Sequence, residues 1–421
     1  MTRVLVLSHT TGYQLRAFND AAEALGIELV FATDRCHRLD DPWQDRAIAV
    51  RFFDVTASVA AIVRRAEEFP MDGLIAVGDQ PVVLAAHAAE ALGIAWHSVA
   101  GATASTDKRR SREALIASGL PSPRYVVAPV GQSPVDAAVV PAYPCVVKPT
   151  GLSGSRGVIR ADDERELTAA IERIRALLAR PQVRAARRGL EDQILVEEYI
   201  DGREFAIEGV MSRGAFRVFA VFDKPDPLEG PFFEETIYVT PSRMDDALQR
   251  RMAEHIERAA SVLGLQQGPI HAECRVTPAG EIYVLEIAAR PIGGLCSRVL
   301  AFAASGEAIS LERVLLEHAL GRSINGYIRG PQAAAVMMIP IPQRGMYRGV
   351  SGEERARAVR GITEVRITAK EGQLLEPLPE AGSYLGFIFA KGETPADAET
   401  AVREAHRQLA FEIAKPLLAN R

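Results

Sequence analysis

The stretch CVVKPTGLSGSRGV (145–158) reads as a buried strand, a glycine-rich loop and the start of a second strand. The strand closes on Lys148, and Gly151, Gly154 and Gly157 punctuate the loop. Glycine reaches positive φ and lets the backbone approach a ligand closely, so successive N–H groups in such a loop can face phosphate oxygens. Ser153 and Ser155 add hydroxyl donors. No GK[ST] follows, so this is not a P-loop. Taken alone, the segment is equally well an ordinary hairpin turn.

Downstream, ILVEEYIDGREFAIEGVM (194–211) holds two strands across a tight connection, with Glu197 and Glu204 on either side of Asp201–Gly202. Backbone groups of such a hinge can read an adenine edge, and Glu204 can accept from ribose hydroxyls. An exposed hairpin is the plain alternative. PIHAECRVTPAGEIYVLEIAARPIGG (269–294) reads as a hairpin with a PAG turn. It sets Glu273 and Glu286 on adjacent strands, where antiparallel pairing brings both carboxylates to one face. Two neighbouring carboxylates repel and usually share a cation or a proton. Mg²⁺ takes a few carboxylates together with phosphate oxygens. A structural ion pair with Arg275 or Arg290 is the competing explanation. Arg290, followed by Pro291 and Gly293–Gly294, offers a fork for a phosphoryl group or an acyl phosphate. His271 lies two residues before Glu273, on the same side of the strand, and either touches substrate or is a satisfied core histidine.

The rest of the chain frames these parts. RVLVL (3–7), ELVFAT (28–33) and LIAVG (74–78) read as buried strands, and Gln14–Leu25 and PVVLAAHAAEALG (81–93) as helices. Strands alternating with helices imply a parallel sheet covered on both faces. Helices are expected over 107–119, 164–178 and 244–263, and the basic run ARPQVRAARRG (179–189) as an exposed loop. After Phe216–Phe222 comes a long polar, Pro-rich loop, DKPDPLEGPFFEE (223–235). The closing part carries AAAVMMIPI, TEVRITA and SYLGFIFAKG, then a helix from Pro395 to about Leu418.

The 421 residues are 48% apolar and 24% charged, which excludes disorder as the main state and implies several lobes. A net charge of −5 argues against a general nucleic-acid binder and leaves room for a local basic pocket. No apolar window approaches the ~20 residues of a membrane span, and the first residues are too short in apolar run for a signal peptide. Cys36, Cys145, Cys274 and Cys296 lie far apart without a CxxC, as buried free thiols of a reducing cytoplasm would.

The order of the parts resembles the ATP-grasp superfamily: DK on a helix (107–108), VVKP, a glycine-rich loop, VEEY…GRE, then E-x12-E-x3-R. The likeness runs from about Thr106 to Gly294. Within that superfamily the chain resembles the L-amino acid ligase group, which make dipeptides, and more loosely carnosine-synthase-type enzymes. The tail, with VMMIPIPQRG and YLGFIFAKGETP, is similar to the C-terminal domain of those ligases. The resemblance implies an α/β ATP-grasp fold in three pieces. These are an N-terminal parallel-sheet α/β lobe (1–104), central ATP-binding α+β lobes (105–325) and a C-terminal α+β segment (326–421). It implies that Lys108 and Lys148 neutralise the phosphates of ATP and that the loop carrying Gly151, Ser153, Gly154, Ser155 and Gly157 closes over them. Glu197, Tyr199 and Ile200 would line the adenine site, and Glu204 would bind the ribose. Glu273 and Glu286 would ligate Mg²⁺ (or Mn²⁺). Arg290, catalytic together with Lys148, would hold the γ-phosphate and then an acyl phosphate. One departure is Ala288, where many ATP-grasp enzymes carry Asn; the amino acid ligases tolerate an apolar residue there.

The implied reaction is ATP-dependent carbon–nitrogen ligation. A carboxylate, an amino acid, is activated as an acyl phosphate and joined to an amine, with release of ADP and phosphate. Phosphoryl transfer asks for positioning and charge neutralisation, so the scarcity of a nucleophile–base pair is no obstacle. An ATP-grasp carboxylase that activates bicarbonate, like biotin carboxylase or a purine-pathway relative, is the alternative. A dinucleotide-binding oxidoreductase is disfavoured, because the first turn is SHTTGYQ rather than GxGxxG. A regulatory nucleotide binder is disfavoured by Glu273, Glu286 and Arg290. Candidate substrate contacts are His271, Arg298 for a carboxylate, Glu234 or Glu235 for an amine, and His9 near the end of the first strand. The expected partners are small-molecule carboxylates and amines, with no nucleic acid or membrane, and the resemblance implies a homodimer.

Overall fold

The computed structural model describes residues 1–9, 14–34, 47–131, 140–186, 189–190, 192–304 and 307–415. Cys36 and the TTGY of the first turn lie outside them. The N-terminal lobe is a four-stranded parallel sheet in the order Ile48–Ala49, Glu28–Thr33, Arg3–Ser8, Gly73–Val77. Val4 to Leu7 are wholly buried, as an unbroken apolar strand between two covered faces must be. Helix Leu15–Leu25 stops on Gly26 at φ 63, the left-handed cap that glycine adopts without a Cβ penalty. Helix Leu311–Ala319, from much later in the chain, packs on this lobe so closely that a Cβ on Gly73 would lie 2.6 Å from the Ala319 carbonyl oxygen.

Two antiparallel sheets follow. A four-stranded one runs Tyr125–Pro129, Gln193–Glu198, Cys145–Pro149, Ile159–Ala161. Helix Glu164–Leu178 covers it with Leu167, Ile171, Ile174 and Leu178, an apolar stripe at helical spacing capped by Asp163. An eight-stranded one runs Ile282–Ala288, Gly268–Val276, Arg203–Ser212, Ala215–Asp223, Ile237–Thr240, Ala333–Ile339, Gly386–Gly392, Ile362–Ile367. The expected division at 325/326 therefore falls within one continuous sheet: Ile237–Thr240 pairs directly with Ala333–Ile339.

Three expectations are corrected. Residues 194–211 are two strands but not a hairpin, because they belong to different sheets. Gly202 makes the crossing at φ 132, where any Cβ would stand 2.2 Å from the Val276 carbonyl oxygen. The basic run is no plain loop: Pro181–Ala185 is a short helix that buries Val183, with Pro181 pre-setting φ at its start. The last helix ends at Arg407, and Ala410–Ala414 is a strand paired with Gly345–Ser351. No helix of the described residues is long and apolar enough to cross a membrane. Cys145, Cys274 and Cys296 are buried and free.

Gly202→Ala is expected to destabilise the chain by about 2–4 kcal/mol, since it combines positive φ with a backbone clash. A urea midpoint equal to that of the parent chain would contradict this reading of the crossing.

Candidate functional site

A cavity of about 400 Å³ opens between the two antiparallel sheets, with the N-terminal lobe at one end. That is the scale of small-molecule sites. Lys148, the penultimate residue of the strand Cys145–Pro149, pairs with Glu197 from the neighbouring strand. Arg112, 1% exposed on helix Lys108–Ala117, places Nε 3.0 Å from the same carboxylate. Its Nη2 donates to the Leu285 carbonyl at 3.0 Å. Burial works to raise the Glu197 carboxyl, but the Arg112 and Lys148 charges outweigh it and hold it at about 2. Burial brings Lys148 down to about 8 against the pull of Glu197. Two cations about one carboxylate leave a net positive charge at this side of the cavity, where an oxyanion is favoured. Lys108, the residue after the N-cap Asp107, reaches the Leu152 carbonyl at 2.7 Å and the Glu286 carboxylate at 3.1 Å.

Glu273 and Glu286 are direct cross-strand partners in the hairpin, so they share a face. Arg275 and Arg290 are drawn elsewhere. Arg275 Nε lies 2.9 Å from Glu204 and its Nη1 donates to the Ile200 carbonyl at 2.8 Å. Arg290 Nε lies 2.8 Å from Asp79 of the N-terminal lobe. Lys224 meets Glu273 instead, at 3.0 Å, with Glu204 at 2.8 Å and Glu235 also in contact. Burial opposes the Lys224 charge, but these carboxylates hold its pKa well above the usual lysine range. Burial and the neighbouring Glu273 push Glu235 up to about 7. Against burial, Lys224 and His271 hold Glu273 well below the carboxylate range. His271 Nδ1 lies 3.1 Å from the fully buried Glu208, and Nε2 lies 3.9 Å from Glu273. Burial lowers the imidazole, yet the two carboxylates raise it to about 9. Glu208 also accepts from the Ile292 N–H at 3.1 Å.

Glu273 and Glu286 offer carboxylate oxygens alone, the donor set a hard divalent cation takes. Each has a lysine ammonium against it, so positive charge is already favoured at both positions. Glu204, Glu235 and Glu273 further gather their oxygens within 4.8 Å of one another. The residues present thus fit Mg²⁺.

The glycine-rich loop turns Leu152 to Ser155 towards the cavity, with Gly154 at φ 65 and Ser155 at φ 55. It is fastened from the C-terminal segment. Gly157 N–H donates to the Pro379 carbonyl at 2.9 Å, while Arg173 holds Glu380 and Arg180 holds Glu376, each at 2.8 Å. At the hinge, the guanidinium groups of Arg160 and Arg275 lie over the Tyr199 ring, 4.5 and 5.1 Å from its centroid.

The cavity brings together Lys108, Lys148, Ser153, Gly154, Ser155, Glu197, Tyr199, Ile200, Glu204, Glu235, His271, Glu273, Glu286 and Arg290, with His9 from the N-terminal lobe. Several expectations are corrected. Gly151 and Gly157 do not line it; a Cβ on them would strike Leu190 and Pro149, so packing demands these glycines. Arg298 lies outside the cavity, 2.8 Å from Glu364, and is not placed for a substrate carboxylate. Glu234 also lies outside and accepts from the Ile341 backbone. The Glu197 side chain serves its two cations rather than an adenine. Sequence reading missed Arg112, Lys224, Glu208 and Asp79. Arg112 sits among Arg109 and Arg110 and reads as part of a solvated face. Asp79 carried a usable signal, since it directly follows the carboxyl end of a parallel strand.

Comparison with known proteins gives matches along most of the chain. Residues 141–299 match the ATP-grasp domain, 19–94 the ATP-grasp N-terminal domain, and 337–414 the L-amino acid ligase C-terminal domain 2. Alanine–anticapsin ligase of Bacillus subtilis is 27% identical over 247 residues, 56% of this chain and 52% of that protein. The chain spans about half to three fifths of the length of the curated relatives it matches first. The crystal structure of an L-amino acid ligase from Bacillus licheniformis superposes with a TM-score of 0.81 at 26% identity, covering 99% of both chains. N5-carboxyaminoimidazole ribonucleotide synthetase from Thermotoga maritima shares the fold, with a TM-score of 0.69 at 16% identity over 99% of this chain and 100% of that one.

The buried ion triad has an acid signature. Glu197 ionises near 2 when folded against an ordinary 4.5, so its stabilisation is complete above about pH 4.5 and is lost as pH falls towards 2. The contribution is about 3 kcal/mol. Glu197→Gln is expected to flatten the stability–pH curve over that window, followed by urea midpoints. An acid limb identical to the parent's would contradict the triad.

Proposed function

We propose that this chain, which belongs to the ATP-grasp superfamily, is an ATP-dependent carboxylate–amine ligase that activates an amino acid through its carboxylate. The observation that carries the reading is one cavity where Lys108, Lys148 and Arg290 converge with the facing carboxylates Glu273 and Glu286. Amino-acid-joining relatives support it: the alanine–anticapsin ligase, and a D-alanine–D-alanine ligase of Aromatoleum aromaticum that is 30% identical over 188 residues, 44% of this chain and 56% of that protein.

In the reaction a substrate carboxylate oxygen attacks the γ-phosphorus of ATP, and the bond to the bridging oxygen breaks as ADP leaves. The amine nitrogen then attacks the acyl carbon, phosphate leaves with the C–O electron pair, and the amine gives up a proton. Both steps move negative charge and need no covalent protein group. Lys108 and Lys148 neutralise phosphate oxygens, and Arg290, steadied by Asp79, grips the transferring phosphoryl group with its fork. Glu273 and Glu286 would hold Mg²⁺, which would supply charge withdrawal from the phosphate oxygens. Leu152 to Ser155, fastened through Gly157 and Pro379, keep water from the acyl phosphate. Cys296 lines the cavity, but burial pushes its thiol far above neutrality, so it is no nucleophile.

Phosphate release from ATP and Mg²⁺ is expected only when amino acids are supplied. Glu286→Gln is expected to lower that rate by about a thousandfold while the circular dichroism and melting temperature stay near the parent's. Retained amino-acid-dependent release in the variant would refute the metal assignment. Release driven by bicarbonate alone would refute the ligase reading.

A further inference from the structure

Ile292 is gripped through its backbone from two sides. Its N–H donates to both oxygens of Glu208, each at 3.1 Å. Its carbonyl accepts from Nε2 of Gln14 at 2.5 Å. Gln14 belongs to the N-terminal lobe, where it is the N-cap of helix Leu15–Leu25, yet its side chain makes no bond to that helix. Glu208 comes from the strand Arg203–Ser212 and has no exposed surface. Residues 205–211 of that strand are all buried, and a leucine there would leave water at less cost than a carboxylate. What the carboxylate adds is an acceptor for one particular N–H. It also holds Nδ1 of His271, its direct cross-strand partner, at 3.1 Å. Glu208 does not line the cavity, whereas Ile292 and Arg290 do.

We propose that Glu208 and Gln14 are positioning residues for Arg290: by holding the N–H and the carbonyl of Ile292, they set where the guanidinium fork meets the transferring phosphoryl group. The proposal rests on the ligase reading for the role of Arg290. Only Pro291 separates the gripped residue from Arg290, and its ring fixes φ. Fixing the Ile292 peptide therefore fixes the backbone from which the Arg290 side chain starts. Asp79 fixes the far end of that side chain, 2.8 Å from Nε. Without Glu208 the Ile292 N–H is orphaned where water does not reach, and the segment must shift to find another acceptor. A displacement of about 1 Å at a reacting centre costs roughly a hundredfold in rate. ATP itself, held also by Lys108 and Lys148, would bind nearly as before.

Three variants of the full chain test this: Glu208→Leu, Gln14→Leu and Glu208→Gln. With ATP, Mg²⁺ and amino acids, the two leucine variants are expected to lose about tenfold to a hundredfold in kcat. Their KM for ATP is expected to stay within about threefold of the parent's. Glu208→Gln keeps an oxygen for the Ile292 N–H and offers an amide N–H to the imidazole, so it is expected to recover most of the loss. Gln14→Leu, at the boundary between lobes, carries the kinetic test if Glu208→Leu does not fold. Hydrogen exchange at the Ile292 amide gives a reading that does not depend on turnover, and it is expected to be about tenfold faster or more in Glu208→Leu. The parent's kcat in a folded leucine variant overturns the proposal. So does a rise in KM for ATP in step with the fall in kcat, or Glu208→Gln as slow as Glu208→Leu. A parent chain silent with every amino acid refutes the ligase reading, and the exchange series then decides the grip by itself: an unchanged Ile292 rate overturns it.

Discussion

Glu197 has been taken out of water between Lys148 and Arg112, and a buried charge of this kind must keep every partner it has. Removing either cation leaves an uncompensated charge in low dielectric, so the elements carrying the triad are locked in mutual position. Arg112 sets helix Lys108–Ala117 against the four-stranded sheet, and its bond to the Leu285 carbonyl ties in the hairpin of the eight-stranded sheet. Lys108, on the same helix, reaches the glycine-rich loop. One carboxylate thus sets the relative placement of two sheets, a helix and a loop, and these are the walls of the cavity.

The same economy of charge recurs around the cavity. Lys108 meets Glu286, Lys224 meets Glu273, and Arg290 meets Asp79. Each cation proposed to act on phosphate already has an anionic partner held by the fold. Their desolvation is therefore settled when the chain folds, and a phosphate meets cations that have already left water. Such preorganisation is where electrostatic catalysis draws most of its strength. It also reconciles an overall charge of −5 with the proposed polyanion site.

Much of this was legible in the sequence, and the limits have physical causes. Strand and helix periodicity placed Glu28–Thr33 and Glu164–Leu178 to the residue, because each is a local amphipathic or fully buried pattern. Pairing is not local. Nothing in ILVEEYIDGREFAIEGVM tells that its two strands enter different sheets, and the decisive fact, the carbonyl of Val276 against Gly202, lies more than seventy residues on. The order of Lys148, the loop, Glu273, Glu286 and Arg290 was readable because chemistry limits residue type there. Arg112 and Lys224 were hidden because their charge is satisfied by residues distant in sequence, and isolated arginines and lysines look like surface. Arg298 misled for the converse reason: position beside a glycine turn says nothing of which way the side chain points.

The pairing of Ile237–Thr240 with Ala333–Ile339 has a consequence for how the molecule is made. Ile237–Thr240, the last strand of the sheet portion formed before residue 300, comes off the ribosome with one edge still unpaired, and an open edge is where chains join one another wrongly. That edge is covered only after about a hundred further residues have been synthesised, several seconds or more at usual elongation rates. The middle of the chain therefore waits for its end. Fragments that stop short of residue 339 keep the residues proposed to meet phosphate yet expose a strand, and their hazard is aggregation.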